Sequence, residues 1–309
     1  MTGSSGFIGI NLTSYLRSMG HIVVGVDLSH DAEITADITT LDWDDAGIGE
    51  IDGAIHLAAK TSVPESILEP DLYHKTNVLA TERLFDWCVK TGVPTVVFAS
   101  SAAVYGDSET SVKRVGSEGK LASPYAENKR RGEMLAEKLS SEVTNFVCLR
   151  FFNVYGAGQP KTTGYSAVIP AFIQKQLDCE DLTIHGDGEQ TRDFVNVNDV
   201  SKAIYGSLTQ KLSNFKIINV GTGTGISLKN LSDMVTSISV RHGINPSRVV
   251  HAPSRIGDVM HSVADRGGLD LILNLDDMIS LEDGIEAQFL LELQSMEGKG
   301  TRGNRVARG

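Results

Sequence analysis

Two short stretches carry side chains able to move a proton. "FASSAAVYGDS" sets Ser100 and Ser101 at the end of an apolar run, and "SPYAENKRRGE" sets Tyr125 and Lys129 four residues apart. Four residues is about one helical turn, so the two side chains share a face. A free tyrosine has a pKa of about 10 and is a poor base at neutral pH. A lysine cation beside it favours the phenolate. Tyr125 can then take the proton of an alcohol. Ser101 can hydrogen-bond the same oxygen and stabilise a developing carbonyl. Tyr-x-x-x-Lys also arises as an ordinary surface pair. A serine pair before it and a glycine loop upstream argue against that reading here.

That loop opens the chain, in "MTGSSGFIGINL", with Gly3, Gly6 and Gly9 three apart. Such a ladder lets the backbone turn sharply and approach a pyrophosphate, and the helix it opens, here through Phe7 and Ile8, favours negative charge at its start. A purely structural turn uses the same glycines. Asp27, about 20 residues on at the end of the next apolar run, adds weight, because a carboxylate there can accept hydrogen bonds from ribose hydroxyls. It can also serve as a plain strand-end cap. It would repel a 2′-phosphate, and no arginine lies between Asp27 and Asp37, so NAD is expected rather than NADP. The positive nicotinamide would also favour a Tyr125 phenolate.

These groups need a frame. "HIVVGVDLS", "GAIHLAA", "PTVVFASS", "NFVCLRFFNVYG" and "KIINVGTG" read as strands. "INLTSYLRSMG", "YHKTNVLATERLFDWCVKTG" and "SPYAENKRRGEMLAEKLSSE" read as helices, the last with Pro124 just inside its start. The alternation predicts an α/β Rossmann-type, doubly wound parallel sheet. After Gly156 the pattern loosens: "AVIPAFIQKQLD" reads as a short helix and "LTIHGDGEQTRDFVNVNDV" as strand and loop. The division expected is a dinucleotide-binding domain over 1–153 and 193–219, and an interleaved, smaller C-terminal substrate domain over 154–192 and 220–296. The Gly/Arg-rich tail 297–309 is expected to be disordered. A dinucleotide fold needs an apolar strand before its first glycine, and only Met1 and Thr2 precede Gly3. The first strand therefore reads as truncated, and an apolar extension of about five or six residues is expected to stabilise the chain.

Composition narrows the partners. Of 309 residues, 28 are basic and 39 acidic, a net charge of -11, which argues against a nucleic-acid surface. No apolar run approaches the roughly 20 residues of a membrane span, and no signal peptide is visible. Cys88, Cys148 and Cys179 form no metal-ligand spacing and read as buried apolar residues. A cytoplasmic, soluble protein without a metal is expected.

Taken in order, "TGSSGFIG", "VDLS", "HLAA", "SSAAVYG", "YAENK", "RFFNVYG", "GDGEQTRDFVNVNDV" and "RIGD" resemble the motifs of the extended short-chain dehydrogenase/reductases, and among them the sugar-nucleotide 4-epimerases of the UDP-glucose type. The resemblance runs from Thr2 to about residue 290. It implies catalytic roles for Ser101, Tyr125 and Lys129. It sets Asp37 and Ile38 beside the adenine, lines the pyrophosphate and nicotinamide with Leu57, Ala58 and Ala59, and brings Asn77 near them. Asn153 would hold the phosphates of a UDP-sugar, Arg192 and Arg255 would clamp its diphosphate, and Asp258 would lie near its ribose. Ser262, four residues past that aspartate, would wall the sugar pocket, small enough to admit an N-acetyl group. The helices 73–91 and 123–141 imply a homodimer.

Related dehydratases place an Asp-Glu pair directly after the catalytic Ser/Thr, and related decarboxylases a Glu two residues after it. Ala102 and Ala103 stand there and can serve as neither acid nor base. Inversion at C4 of a UDP-hexose through a 4-keto sugar is the expected reaction. A uronic acid epimerase, a dehydratase, a decarboxylase or a non-catalytic NAD-sensing module are the alternatives.

Overall fold

The computed structural model describes residues 1–160, 168–212, 214–254 and 259–303. Its main sheet is parallel. Thr95–Ser101 lies between Asn145–Phe151 and Ala54–His56, and Phe215–Val220 extends the sheet beyond Asn145–Phe151. On the other side, Ile34–Thr35 pairs with Val26–Asp27. Thr2 joins the two halves by parallel bridges to both His56 and Val26. This is the Rossmann-type order, with Met1 and Thr2 at its centre.

The backbone shows how two residues hold the centre. Thr2 N–H donates to the Ile55 carbonyl, Val26 N–H to the Met1 carbonyl and Gly3 N–H to the Val26 carbonyl. The Met1 amine donates to the Val24 carbonyl at 2.7 Å, and burial lowers its pKa to about 6. One expectation is corrected here. Among the described residues, the strand read over 21–29 is paired at Val26–Asp27 alone, with Thr2 on one side and Ile34–Thr35 on the other. Ile22, apolar by sequence, remains 96 % exposed.

Both faces of the sheet are covered, as a parallel sheet requires. On one face Val97, Ala99, Val147 and Leu149 pack under Leu12 and Leu16 of helix Phe7–Ser18 and Val200, Ala203 and Ile204 of helix Val197–Thr209. On the other, Val96, Phe98, Phe146 and Cys148 pack under Leu84, Phe85 and Cys88 of helix Ala80–Thr91 and Ala136 of helix Pro124–Leu139. A smaller core unites Ile169, Phe172 and Ile173 of helix Val168–Leu177, Leu231, Val235 and Ile238 of helix Leu228–Arg241, and Ile285 and Phe289 of the last helix, Leu281–Gly303. Beside it, Ile226–Ser227, Thr191–Arg192, His261–Ala264 and Val112–Lys113 form a four-stranded sheet in that order.

Other differences are local. The segment read as one strand to Gly156 breaks at Phe152, and its second part, Asn153–Tyr155, pairs with Phe194–Asn196 instead. Helix Val197–Thr209 begins inside a stretch read as strand and loop; the Asn196 side chain caps it by accepting from Asn198 N–H at 2.9 Å. The helix read over 73–91 passes through a π-helical turn at Lys75–Leu79. Cys179 is exposed, not buried, in a left-handed turn (φ 56°) behind helix Val168–Leu177. The last helix carries the backbone of 297–303 into the segment read as a disordered tail, and 304–309 lie outside the described residues.

Candidate active site

The glycine turn is built by close approach. Gly3 has φ 71°, and a Cβ there would stand 2.7 Å from Ala58 N. A Cβ on Gly9 would lie 2.1 Å from the Gly3 carbonyl oxygen. Side chains at either position would fill the cradle, so the turn brings bare backbone to the start of helix Phe7–Ser18. Gly6 caps that helix without a side-chain bond, leaving its first N–H groups facing the loop. Phe7 and Ile8 are half-buried on its first turn. Asp27 reaches the turn directly: Oδ2 accepts from Ser5 N–H at 3.0 Å and Oδ1 from Ser29 N–H at 3.1 Å. A carboxylate oxygen has room for more than one hydrogen bond, so Asp27 can still receive ribose hydroxyls. Asp37 is exposed and caps Thr39 N–H, while Ile38 is buried. Leu57, Ala58 and Ala59 leave the strand Ala54–His56 half-buried, over Gly3. Asn77 is buried, and its amide grips the backbone N–H and carbonyl of Lys60, both at 2.8 Å. These residues fit a dinucleotide on the donor set and the empty Cβ positions alone.

Tyr125, Lys129 and Ser101 come together where helix Pro124–Leu139 crosses the end of strand Thr95–Ser101. Ser123 caps the helix, accepting from Ala126 N–H at 3.2 Å, and Pro124 fills its first position. Gly132 sets the approach: a Cβ there would meet the Phe98 ring at 2.5 Å. That closeness lets the Lys129 ammonium donate to the Ala99 carbonyl at 2.7 Å, with its nitrogen 5.9 Å from the Tyr125 ring centroid. Burial lowers the Lys129 pKa to about 8, with the Glu133 carboxylate opposing. Burial also pushes the Tyr125 phenol up, against a hydrogen bond with Ser101 that favours the phenolate. By sequence, the lysine cation is expected to favour the Tyr125 phenolate. In the structure burial holds the phenol up, and the ammonium is bonded to the Ala99 carbonyl.

Sequence reasoning missed the support beneath. Arg150, fully buried, donates from Nε and Nη2 to the two Glu133 oxygens, each at 2.8 Å, and also pairs with Glu118. Ser100 donates to Glu133 Oε1 at 2.6 Å. Glu133 stands one turn past Lys129 on the same face, and that i, i+4 spacing was the available signal.

The remaining expected residues line up by register. Ser101 is paired beside Phe151, two residues before Asn153. Asn153 pairs with Phe194, two residues after Arg192, and Arg192 pairs with Ser262. Arg192 donates to its neighbour's carbonyl, Thr191 O, at 2.8 Å. Between Arg192 and Phe194, Asp193 was not singled out in the sequence. Its buried carboxylate accepts from Thr222 N–H and Oγ1, both at 2.7 Å, Gly223 N–H at 2.9 Å and Ala264 N–H at 3.0 Å. Burial pushes its carboxyl up while these bonds oppose. Arg255 and Asp258 lie outside the described residues.

The comparisons with known proteins agree with this architecture. Residues 1–221 match the model of the NAD dependent epimerase/dehydratase family. A putative UDP-glucose 4-epimerase of Methanocaldococcus jannaschii is 34 % identical over 250 residues, covering 76 % of this chain and 80 % of that one. A UDP-N-acetyl-alpha-D-glucosaminuronate decarboxylase of Bacillus cytotoxicus is 30 % identical and covers 82 % of each. The structure of MoeE5 in complex with UDP-glucose and NAD superposes with a TM-score of 0.84 at 32 % identity, covering 96 % of this chain and 98 % of that one. The chain belongs to the NAD-dependent epimerase/dehydratase family, as an enzyme of nucleotide sugars with NAD as its cofactor.

Proposed function

We propose that this enzyme inverts the C4 hydroxyl of a UDP-hexose, interconverting UDP-glucose and UDP-galactose through a 4-keto sugar. The observation that carries this reading is the buried Tyr125 and Lys129 beside half-buried Ser101, which Ala102 and Ala103 follow with no acid or base at those two positions. Tyr125 accepts the C4 hydroxyl proton and later returns it. Ser101 donates to the same oxygen as carbonyl character develops. Lys129, held by Ala99, keeps positive charge near the phenolate. NAD, when bound, supplies a reversible acceptor for the hydride; Gly3, Gly6 and Gly9, Asp27, Asp37, and Leu57 to Ala59 would hold it. Asn153 and Arg192 would hold the UDP phosphates, a task that suits an arginine fork.

The domain division read from the sequence is kept as part of this proposal, as is a cytoplasmic location. Among the described residues, no helix is long and apolar enough to cross a membrane. A homodimer is also proposed. Ile67, Leu68 and Met134 are 60 %, 81 % and 56 % exposed, on helix Val63–Leu68 and on helix Pro124–Leu139, which touch each other. A dimer mass by light scattering at micromolar concentration is expected.

The deciding experiment incubates the enzyme with a panel of nucleotide sugars and separates the products. Conversion of UDP-glucose to UDP-galactose without loss of water or carbon dioxide is expected. Release of carbon dioxide from a UDP-uronate, with no 4-epimer formed from any sugar, would overturn the reading.

A further inference from the structure

His56 is a buried, titratable side chain that the proposed reaction does not use. It ends the strand Ala54–His56, just ahead of the loop that packs on Gly3. Its Nδ1 lies 2.7 Å from Thr2 Oγ1 and its Nε2 lies 2.8 Å from Thr81 Oγ1. Neither hydroxyl stops there. Thr2 Oγ1 accepts from Ala58 N–H at 3.2 Å, and the Thr81 hydroxyl donates to the Asn77 carbonyl at 2.9 Å. The Asn77 amide in turn holds both backbone groups of Lys60.

Counting hydrogens sets the direction of this chain. A hydroxyl has one hydrogen to give. Thr81 gives its own to Asn77, so from His56 it can only accept, and the ring hydrogen sits on Nε2. Nδ1 is then an acceptor and takes the Thr2 hydrogen, while a Thr2 lone pair takes Ala58 N–H. The other tautomer would leave the buried Thr2 hydrogen facing a ring N–H, and a buried polar hydrogen without an acceptor is unfavourable. A charged ring is opposed by burial, by the Lys129 ammonium and by the Met1 amine. The ring faces meet Phe98, stacked at 5.8 Å, and Phe85, edge-on at 6.0 Å.

We propose that His56 is a positioning residue of the cofactor site: with its hydrogen on Nε2, it joins Thr2 and Thr81 into one directional hydrogen-bond chain that fixes the backbone of Ala58 and Lys60 against NAD. The proposal rests on the assignment of Leu57 to Ala59 and the glycine turn to NAD. The two ends of the loop, Ala58 and Lys60, are gripped by different elements, and His56 is where those grips meet. Removing it leaves each end bonded but no longer in register with the other.

The test measures NAD affinity by titration calorimetry for the wild type, His56→Phe, His56→Asn and Thr2→Val, with Asp27→Ala as the reference for the site. His56→Phe keeps an aromatic ring on Phe98 and removes both hydrogen bonds. It is expected to weaken NAD about tenfold, the scale of one or two net hydrogen bonds, with the loss in NAD affinity rather than in kcat at saturation. His56→Asn retains an acceptor for Thr2 and is expected to restore part of the affinity. Long-range proton–nitrogen NMR of the ring is expected to show hydrogen on Nε2 alone between about pH 5 and 8. If His56→Phe folds too poorly to titrate, Thr2→Val removes the Thr2 bonds to His56 and to Ala58, leaves the His56–Thr81–Asn77 side in place, and is expected to weaken NAD about fivefold. Unchanged NAD affinity in the His56 and Thr2 variants, with Asp27→Ala weakened, overturns the chain and leaves the site standing. Unchanged affinity in Asp27→Ala overturns the site assignment itself. A ring protonated on Nδ1 overturns the direction.

Discussion

The strand end at Ser101 and the strand pair at Arg192 and Ser262 stand a few residues apart in register, yet they are built differently. At Ser101 the backbone belongs to a seven-residue strand buried between two others. The helix across it is tied down by Lys129 to Ala99, by Ser100 to Glu133, and by the buried Arg150–Glu133 pair. At Arg192 the strands are two to four residues long and half-exposed, and one buried carboxylate, Asp193, gathers the neighbouring loops. The first arrangement suits a proton transfer that tolerates little displacement. The second suits a surface where substrate specificity can change by one side chain without disturbing the core.

The largest effect expected is in the rigid half. Tyr125→Phe removes only the proton path, and turnover should fall by about 10²–10⁴-fold while NAD still binds; near wild-type turnover in a steady-state assay would break the division. Next is the brace itself. Glu133→Ala leaves the buried Arg150 guanidinium with Glu118 as its remaining carboxylate partner, and chemical denaturation should show a loss of about 3 kcal/mol, the low end for breaking a buried pair. A loss no larger than that of an exposed pair such as Arg248–Asp181 would mean that the pair braces nothing.

A third expectation concerns pH. The His56 pKa is lowered from 6.5 to about 3, so the folded protein binds fewer protons than the unfolded chain in that window. The stability this group contributes is present above pH 6.5 and is lost as pH falls toward 3. The slope from this one group reaches about 1.4 kcal/mol per pH unit. Denaturation series should show the slope in the wild type and a shallower one in His56→Phe; parallel curves would remove the argument. The smallest effect is reserved for the adaptable half. Ser262→Tyr, beside Arg192, should penalise N-acetylated UDP-hexoses by about 1–3 kcal/mol of overpacking, leaving the glucose/galactose pair largely intact. Equal loss on both pairs in a competition assay would show that Ser262 does not gate the sugar.

Much of this was readable without coordinates, because it depends on neighbours in sequence. The period of the apolar residues, the cap Ser123 with Pro124, the glycine spacing at the turn, and the i, i+4 relation of Tyr125 and Lys129 are all local. They predict the sheet type and the helix on which Tyr125 and Lys129 stand one turn apart. The extent of the strand read over 21–29 was not readable, since pairing depends on neighbours elsewhere in the chain that its own residues do not encode. Helix Val197–Thr209 was hidden for a similar reason: its first turn shares a stretch with the strand Phe194–Asn196 that precedes it.

What the fold alone decided are the buried polar contacts between residues far apart in the chain. Asp193 and Thr222, and His56 between Thr2 and Thr81, carry no spacing signal, and Glu133 carries one toward Lys129 but none toward Arg150, because the chain between these partners is set by topology rather than by helical or strand period. Even the balance at Tyr125 belongs to this class. Sequence supplied the lysine four residues away, but the burial that raises the phenol and the Ala99 carbonyl that the ammonium bonds exist only once helix meets strand.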